Sequence, residues 1–260
     1  MNQSIEEVIS VSDQALLSLR GKFKKFSKQW LNNYDANQVV DTVTELSPVW
    51  QNKVVQRLVL NVLEPLGDGC FSEDNFGFRQ TDTLDMALSR VRELVADGYV
   101  WLGLGHIEGC FSQLPSKPVM KKLQKLCGDK ELVSLVGEIL DSQGSEQERS
   151  LFPDMLLAPF LCNLYLHDLD RVLQRKKVMF VRFREDFIVF AFDEDAAYKA
   201  LGLAERQLGK IGLELNPSKT KVVRSASEYK FRGKRLPNIL PLFQRGWANW
   251  LDWRFYKAPF

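Results

Sequence analysis

Glu185 and Asp186 stand side by side between two apolar runs, Phe180-Val-Arg-Phe183 and Phe187-Ile-Val-Phe-Ala-Phe192, with Arg184 just before them. β-branched and aromatic residues on either side of a short charged stretch predict a buried β-hairpin with a polar tip. Two adjacent carboxylates at such a tip can supply half of a divalent-metal site. A tight turn carrying ordinary solvent-facing charges is the plain alternative. The hairpin by itself does not choose between them.

The elements around the hairpin are legible from periodicity. Ile5, Val8, Ile9, Leu16 and Leu19 predict an amphipathic helix over residues 3–20, part of an N-terminal extension covering 1–46. Ser47-Pro48 opens a helix that Glu64-Pro65 is expected to end. A second helix starts at an N-cap, Asp82 or Thr83, buries Leu84, Ala87, Leu88, Val91, Leu94 and Val95, and stops at Gly98. Residues 99–107 read as a strand in which Gly103 and Gly105 imply a close backbone approach. Two helices over 117–142 divide near Gly128-Asp129, a polar loop covers 141–149, and a long helix runs from Met155 to Arg175 with Pro159 in its early part. After the hairpin come a helix carrying Ala197, Leu201, Ala204, Leu208 and Ile211, a strand over 219–224, and a short strand pair near 229–236. From residue 99 onward, this order is a split β-α-β layout: an α+β fold with an antiparallel sheet and helices on one face.

Composition narrows the functional classes. No apolar run is long enough for a membrane helix, and the start lacks the basic head and apolar stretch of a signal peptide, so a cytoplasmic setting and no membrane partner are expected. Cys70, Cys110, Cys127 and Cys162 lack paired metal-type spacing and read as free thiols. The net charge of +2 conceals an uneven distribution. Basic residues dominate from Lys219 onward; they recur through Arg171, Arg175, Lys176, Lys177, Arg182 and Arg184, and again over Arg20–Lys28. Any one cluster is explained by a solvated helix face. Their recurrence suits a polyanion.

Five segments, in order, carry a family resemblance. They are Pro48 to Pro65; Phe71-Ser-Glu-Asp-Asn-Phe-Gly-Phe-Arg79; Ala158-Pro-Phe-Leu-Cys-Asn-Leu-Tyr-Leu-His-Asp-Leu-Asp170; Phe180-Val-Arg-Phe-Arg-Glu-Asp-Phe187; and Gly212-Leu-Glu-Leu-Asn-Pro-Ser-Lys-Thr-Lys-Val-Val223, followed by Phe231-Arg-Gly233. Together they resemble a reverse transcriptase of the group II intron and related bacterial kind, across residues 47–235. The resemblance implies fingers over 47–98 and a palm over 99–236; a Trp-rich tail follows over 237–260. It also implies RNA-directed DNA polymerase activity with two Mg²⁺ (or Mn²⁺) ions held between a first-strand carboxylate and the hairpin aspartates.

The departures fall at the chemistry. Where the family has Asp-Ile-Glu-Lys-Phe-Phe-Asp, this chain has His106-Ile-Glu-Gly-Cys-Phe-Ser112. His106 therefore replaces the first-strand aspartate, and an imidazole is a poor ligand for Mg²⁺. Glu185 replaces the first hairpin aspartate, Asp186 keeps the second, and Arg184 takes the place of a small residue. An Arg184–carboxylate pair would satisfy the tip with no metal at all. Glu108 should point to the opposite face and not replace the lost carboxylate. The family's Pro-Gln-Gly loop is replaced by Ser150-Leu-Phe-Pro-Asp-Met-Leu-Leu157, and Pro-Gly-Arg-Ser by Gln80-Thr-Asp-Thr83. The chain is also expected to lack a thumb and an endonuclease domain.

The reading that follows is a catalytically inactive pseudo-polymerase that binds RNA or an RNA/DNA duplex and needs no metal. An active polymerase with the atypical ligands His106, Glu185 and Asp186 is one alternative; a protein-interaction module is another. Lys53, Arg57, Arg79, Arg184 and Lys219 are the candidate nucleic-acid contacts. For Lys53 and Arg57 the alternative is a solvated helix face, for Arg79 a surface ion pair, and for His106 a hydrogen-bonded strand histidine. Trp247, Trp250 and Trp253 recur every three residues and would cover one helix face, as a cap on the core, a base-stacking platform or a patch for a protein partner.

Overall fold

A computed structural model of the chain describes residues 48–79, 84–141 and 155–225. The expected helix over 3–20, the candidate N-caps Asp82 and Thr83, the 142–149 part of the polar loop, the strand pair near 229–236 and the three tail tryptophans lie outside these residues. The rest forms two compact units that interleave along the chain. Residues 48–71 group with 111–166, and residues 72–110 group with 167–225, whereas the expected spans 47–98 and 99–236 are consecutive.

The first unit is helical: α1 (Pro48–Asp68), α3 (Ser116–Cys127), α4 (Lys130–Asp141) and the beginning of α5 (Ala158–Arg175). Helix α1 runs on through Pro65 instead of ending before it. Its last turn is held by packing: a side chain on Gly67 would meet the Phe160 ring at 2.6 Å and the Phe71 ring at 2.8 Å. That close fit outweighs the hydrogen bond that proline removes. Division of the next two helices at Gly128-Asp129 is confirmed. Gly128 ends α3 at φ 67, where glycine carries no steric penalty, and the Asp129 carboxylate accepts from the Glu131 and Leu132 N–H groups to start α4. Helix α5 begins at Ala158 and not at Met155. Pro159 thus falls in the first turn, where a missing N–H costs nothing. The Leu157 N–H ahead of it donates to buried Gln56 Oε1 at 3.2 Å.

The second unit holds the sheet, in the order β2-β3-β1-β4 and antiparallel throughout. Its strands are β1 (Trp101–His106), β2 (Met179–Phe183), β3 (Asp186–Ala191) and β4 (Lys221–Arg224). Here β4 is shorter than the expected 219–224, because residues 216–220 form a turn. The α+β class and the antiparallel palm sheet stand, with one correction: the helices cover both faces. Leu102, Leu104, Ile188 and Phe190 pack with Ala87, Leu88, Val91 and Leu94 of α2 (Leu84–Ala96). Gly103 turns the other way, towards Ala197 and Leu201 of α6 (Glu194–Lys210). Near-continuous burial along β1 and β3 is the signature of a sheet covered twice.

Gly105 makes room for a side chain, and Gly103 for a side chain and for the approach of α6, whose Ala197 carbonyl oxygen would lie 3.4 Å from a Cβ there. Phe187 and Val189 are the cross-strand partners of Gly105 and Gly103. A Cβ on Gly105 would lie 2.2 Å from the Phe187 ring, and one on Gly103 2.6 Å from Val189.

A further strand-like segment docks on β2. Arg182 donates its N–H to Asp74 O at 2.8 Å, and the Phe76 N–H donates to Arg182 O at 2.8 Å, a parallel bridge centred on Asn75. Asn75 is fully buried, and its side chain accepts from the Gly77 N–H at 3.1 Å. Gly77 then lies so near the hairpin tip that a Cβ would fall 2.0 Å from Arg184 N.

Gly77→Ala is therefore expected to destabilise the protein by about 1–3 kcal/mol or more through overpacking against backbone. Gly209→Ala, in α6 with nothing within 4 Å of the added methyl, is expected to be neutral or stabilising by up to about 1 kcal/mol. Chemical denaturation of the two variants side by side checks both values.

Candidate functional site

The candidate site lies where the end of β1 meets the β2–β3 tip. Phe183 and Asp186 are paired, so the connection is the two-residue turn Arg184-Glu185. Arg184 sits at φ 60, a conformation that favours glycine. The turn is held by the Ile107 N–H, which donates to Glu185 O at 2.9 Å. It is also held by Arg182, whose guanidinium donates to Arg184 O at 3.1 Å.

Arg182 is the residue the sequence reading misplaced. Grouped there with the basic residues available to a polyanion, it is 0 % exposed. Its Nε and Nη2 donate to the two carboxylate oxygens of Asp170 on α5 at 2.7 and 2.6 Å, and that carboxylate is fully buried as well. A charged residue at an inward position of an otherwise apolar strand signals a buried partner, and an aspartate on an apolar helix is the natural one.

At the tip, His106 and Asp186 are cross-strand partners. The imidazole Nδ1 lies 2.6 Å from Asp186 Oδ1, both side chains being 14 % exposed. On the other side of the ring, Nε2 lies 3.0 Å from Lys219 Nζ. An ammonium can only donate, so Nε2 is the acceptor and the ring hydrogen is on Nδ1, donated to Asp186. The result is a continuous chain, Lys219 to His106 to Asp186.

Lys219 is delivered by a turn clamped to the end of β1. The Asn216 N–H donates to His106 O at 2.8 Å, and the Glu108 N–H donates to Glu214 O at 2.9 Å. Asn216 Oδ1 accepts from the N–H of Ser218 at 3.0 Å and that of Lys219 at 3.1 Å, closing an Asx turn. Its Nδ2 donates to the exposed Glu108 carboxylate. Glu108 is thus engaged by Asn216.

The other tip residues lie in two environments. Burial pushes the Glu185 carboxyl above its usual range; the neighbouring Asp186 charge adds to this, while a backbone hydrogen bond, Arg184 and His106 oppose it. Arg184 places its guanidinium over the rings of Phe78 and Phe183, 5.3 and 5.5 Å from their centroids. Burial lowers its affinity for a proton, and the charges of Glu185 and Asp186 partly restore it. The bond formed by Asp186 at 2.6 Å is to His106, so histidine takes the role expected of Arg184 as partner to that carboxylate.

These residues do not fit Mg²⁺ or Mn²⁺. Mg²⁺ requires several hard oxygen donors in near-octahedral array. Here the Asp186 carboxylate is bonded to an imidazole whose far nitrogen meets an ammonium, and Glu185 is half-buried next to Arg184. Among the described residues no three His, Cys, Asp or Glu side chains converge as a metal cluster.

The remaining candidate contacts are divided between the two units. Arg79, in the second unit, is half-buried and donates to Ser72 O at 3.3 Å and Asn75 O at 3.2 Å. Arg57 and Lys53 belong to α1 in the first unit. Arg57 forms a loose, solvent-exposed pair with Glu64 at 3.5 Å, a contact of little energetic weight.

An antiparallel sheet whose two-residue hairpin turn and following strand carry adjacent carboxylates, Glu185 and Asp186, set against the end of its first strand, defines a polymerase-type palm. The chain belongs to the reverse transcriptase (RNA-dependent DNA polymerase) family, whose model matches residues 46–236. It is 25 % identical over 198 residues to the group II intron-encoded protein LtrA of Lactococcus lactis subsp. cremoris, covering 74 % of this chain and 32 % of that one. It is 29 % identical over 89 residues to the mitochondrial nuclear intron maturase 1 of Arabidopsis thaliana, covering 34 % of this chain and 12 % of the relative. Among solved structures, telomerase from Candida albicans in complex with a telomeric RNA fragment aligns with a TM-score of 0.46 and 14 % identity, over 76 % of this chain and 37 % of that one. The chain thus spans about a third of the length of LtrA. No helix among the described residues is long and apolar enough to cross a membrane.

Two outcomes test this geometry. Asp170→Ala, which leaves the Arg182 charge buried and unpaired, is expected to cost about 3–5 kcal/mol in denaturant unfolding. The raised Glu185 pKa means that the native state keeps a proton to higher pH than the unfolded chain, whose carboxyl titrates near the ordinary 4.5. Stability from this group is present below that value and lost as pH rises through the folded pKa. Glu185→Gln should therefore be more stabilising, relative to wild type, at pH 7 than at pH 4.5.

Proposed function

We propose that this protein is a catalytically inactive member of its family that binds RNA or an RNA/DNA duplex and requires no divalent metal. The observation that carries this reading is the Lys219–His106–Asp186 chain. It uses Asp186, the one metal-position carboxylate retained unchanged from the family pattern, as a hydrogen-bond acceptor, with an ammonium on the far side of the imidazole. Two-metal polymerisation needs carboxylates free to bridge ions that activate the primer hydroxyl and hold the leaving pyrophosphate. A carboxylate bonded to imidazole, beside an ammonium, is set against that task.

An RNA partner is supported by the intron-encoded and intron-maturase relatives and by the basic residues on both units. Lys219 at the tip and Lys53 and Arg57 on α1 would neutralise phosphates. Arg79 and Arg184, bonded to carbonyls and stacked on rings, would shape the surface that receives them. A cytoplasmic setting belongs to the same proposal.

Binding to a structured RNA or a template–primer duplex is expected to weaken steeply with salt, as counterion release demands, and to be unchanged by chelation with EDTA. Primer extension on an RNA template is expected to yield no incorporation with either Mg²⁺ or Mn²⁺. Extension that disappears in Asp186→Ala would establish an active polymerase with unusual ligands instead.

A further inference from the structure

We infer that the solvent face of α3, carrying Lys117, Lys121 and Lys125, is a phosphate-binding stripe that grips the backbone of a structured RNA without reading its sequence. This deepens the RNA-binding reading above, and rests on it, by adding a contact surface on the first unit. The three lysines follow one another at four-residue steps, so they share one side of the helix and lie about 6 Å apart along its axis. Val119 and Leu123, both fully buried, occupy the opposite side. Packing of that apolar side aims the lysines outward, and all three are exposed.

The charge on this helix is uncompensated. No acidic residue occurs in α3, and among the described residues none of the three lysines makes a hydrogen bond or an ion pair. Lys122 differs: its ammonium lies 5.5 Å from the centroid of the Tyr165 ring, off the stripe. Asp129, just beyond the helix, accepts from the N–H groups of Glu131 and Leu132. An ordinary solvated helix mixes the two signs, as α6 does with Glu194, Asp195, Lys199, Glu205, Arg206 and Lys210. Like charges one turn apart destabilise a helix. A polyanion laid along the stripe relieves that repulsion and releases its own counterions.

The surroundings of the stripe select among polyanions. A basic amphipathic helix that lies on a membrane inserts its apolar side, but here that side is buried. A protein partner needs apolar anchors. The exposed large apolar side chains among the described residues are Leu66, Met86, Phe192 and Tyr198, and none belongs to α3. Phosphates need only charge at a suitable spacing. Over the roughly 12 Å from Lys117 to Lys125 a duplex presents about seven phosphate charges, enough for each lysine to reach one.

The test is binding of the full chain to a short RNA duplex across a salt series, comparing wild type with Lys117→Gln/Lys121→Gln/Lys125→Gln. Glutamine matches lysine in helix propensity, so the fold is retained. The slope of log affinity against log salt is expected to become shallower by about 2–3 in the variant, one phosphate contact being lost with each lysine. The loss is expected to be equal for two duplexes of unrelated sequence. A charge-matched control on α6, Lys199→Gln/Arg206→Gln/Lys210→Gln, is expected to keep the wild-type slope. Equal slopes in wild type and the α3 variant, or the same shallowing in the control, overturn the inference while the RNA-binding reading stands. A wild type that binds no duplex overturns that reading and the inference with it. Phosphatidylserine vesicles supply the last arm: vesicle binding lost in the α3 variant, with the RNA slope unchanged, assigns the stripe to a membrane surface and overturns the inference.

Discussion

The second unit depends on a buried ion pair, Arg182 with Asp170. Two charges with no exposure are tolerable only when each satisfies the other, and here the guanidinium meets both carboxylate oxygens. The same arginine does more than neutralise. A third donor on its guanidinium reaches the Arg184 carbonyl in the turn, and its backbone N–H and carbonyl hold the 74–76 segment alongside β2. One residue therefore links helix α5, the hairpin tip and the strand-like segment. The position of Glu185 and Asp186 is a consequence of that linkage.

Once the tip is held, its chemistry follows from what faces it. Asp186 is opposite His106 in the β1–β3 register, and the Asn216 turn brings Lys219 to the other side of the ring. The Asp186 carboxylate is bonded to an imidazole, and that imidazole to an ammonium. The structural core around it is that of the family. Glycines in β1 accept Phe187 and Val189, and the Phe71–Arg79 segment locks against the tip through Gly77. The packing residues of the family fold persist, and His106 and Asp186 at the tip are engaged in a hydrogen bond with each other.

Much of the architecture was legible from periodicity and punctuation. The hairpin, the break at Gly128-Asp129 and the α6 stripe each rest on local signals, and local signals survive folding. Three readings failed because a tertiary contact outweighed a local one. Pro65 did not end α1, since Gly67 is packed against Phe71 and Phe160. The sheet is covered on two faces, which continuous apolar strands allow but do not announce. Arg182 was counted with the surface cations because its neighbours in sequence are basic, whereas its neighbour in space is Asp170.

The candidate site divides in the same way. Replacement of the first-strand aspartate by His106, of the first hairpin aspartate by Glu185, and the arrival of Arg184 are facts of the sequence, because each sits inside a recognisable motif at its proper spacing. By itself the sequence determined the family and identified the positions at which the chemistry had changed. What faces Asp186 was decided only in three dimensions. His106 is 80 residues from Asp186 and 113 from Lys219, and neither separation carries any local signal. Pairing of β1 with β3, and the bond from the Asn216 N–H to the His106 carbonyl, bring the three within hydrogen-bonding reach. Strand register sets which side chains oppose one another, and register belongs to the folded sheet.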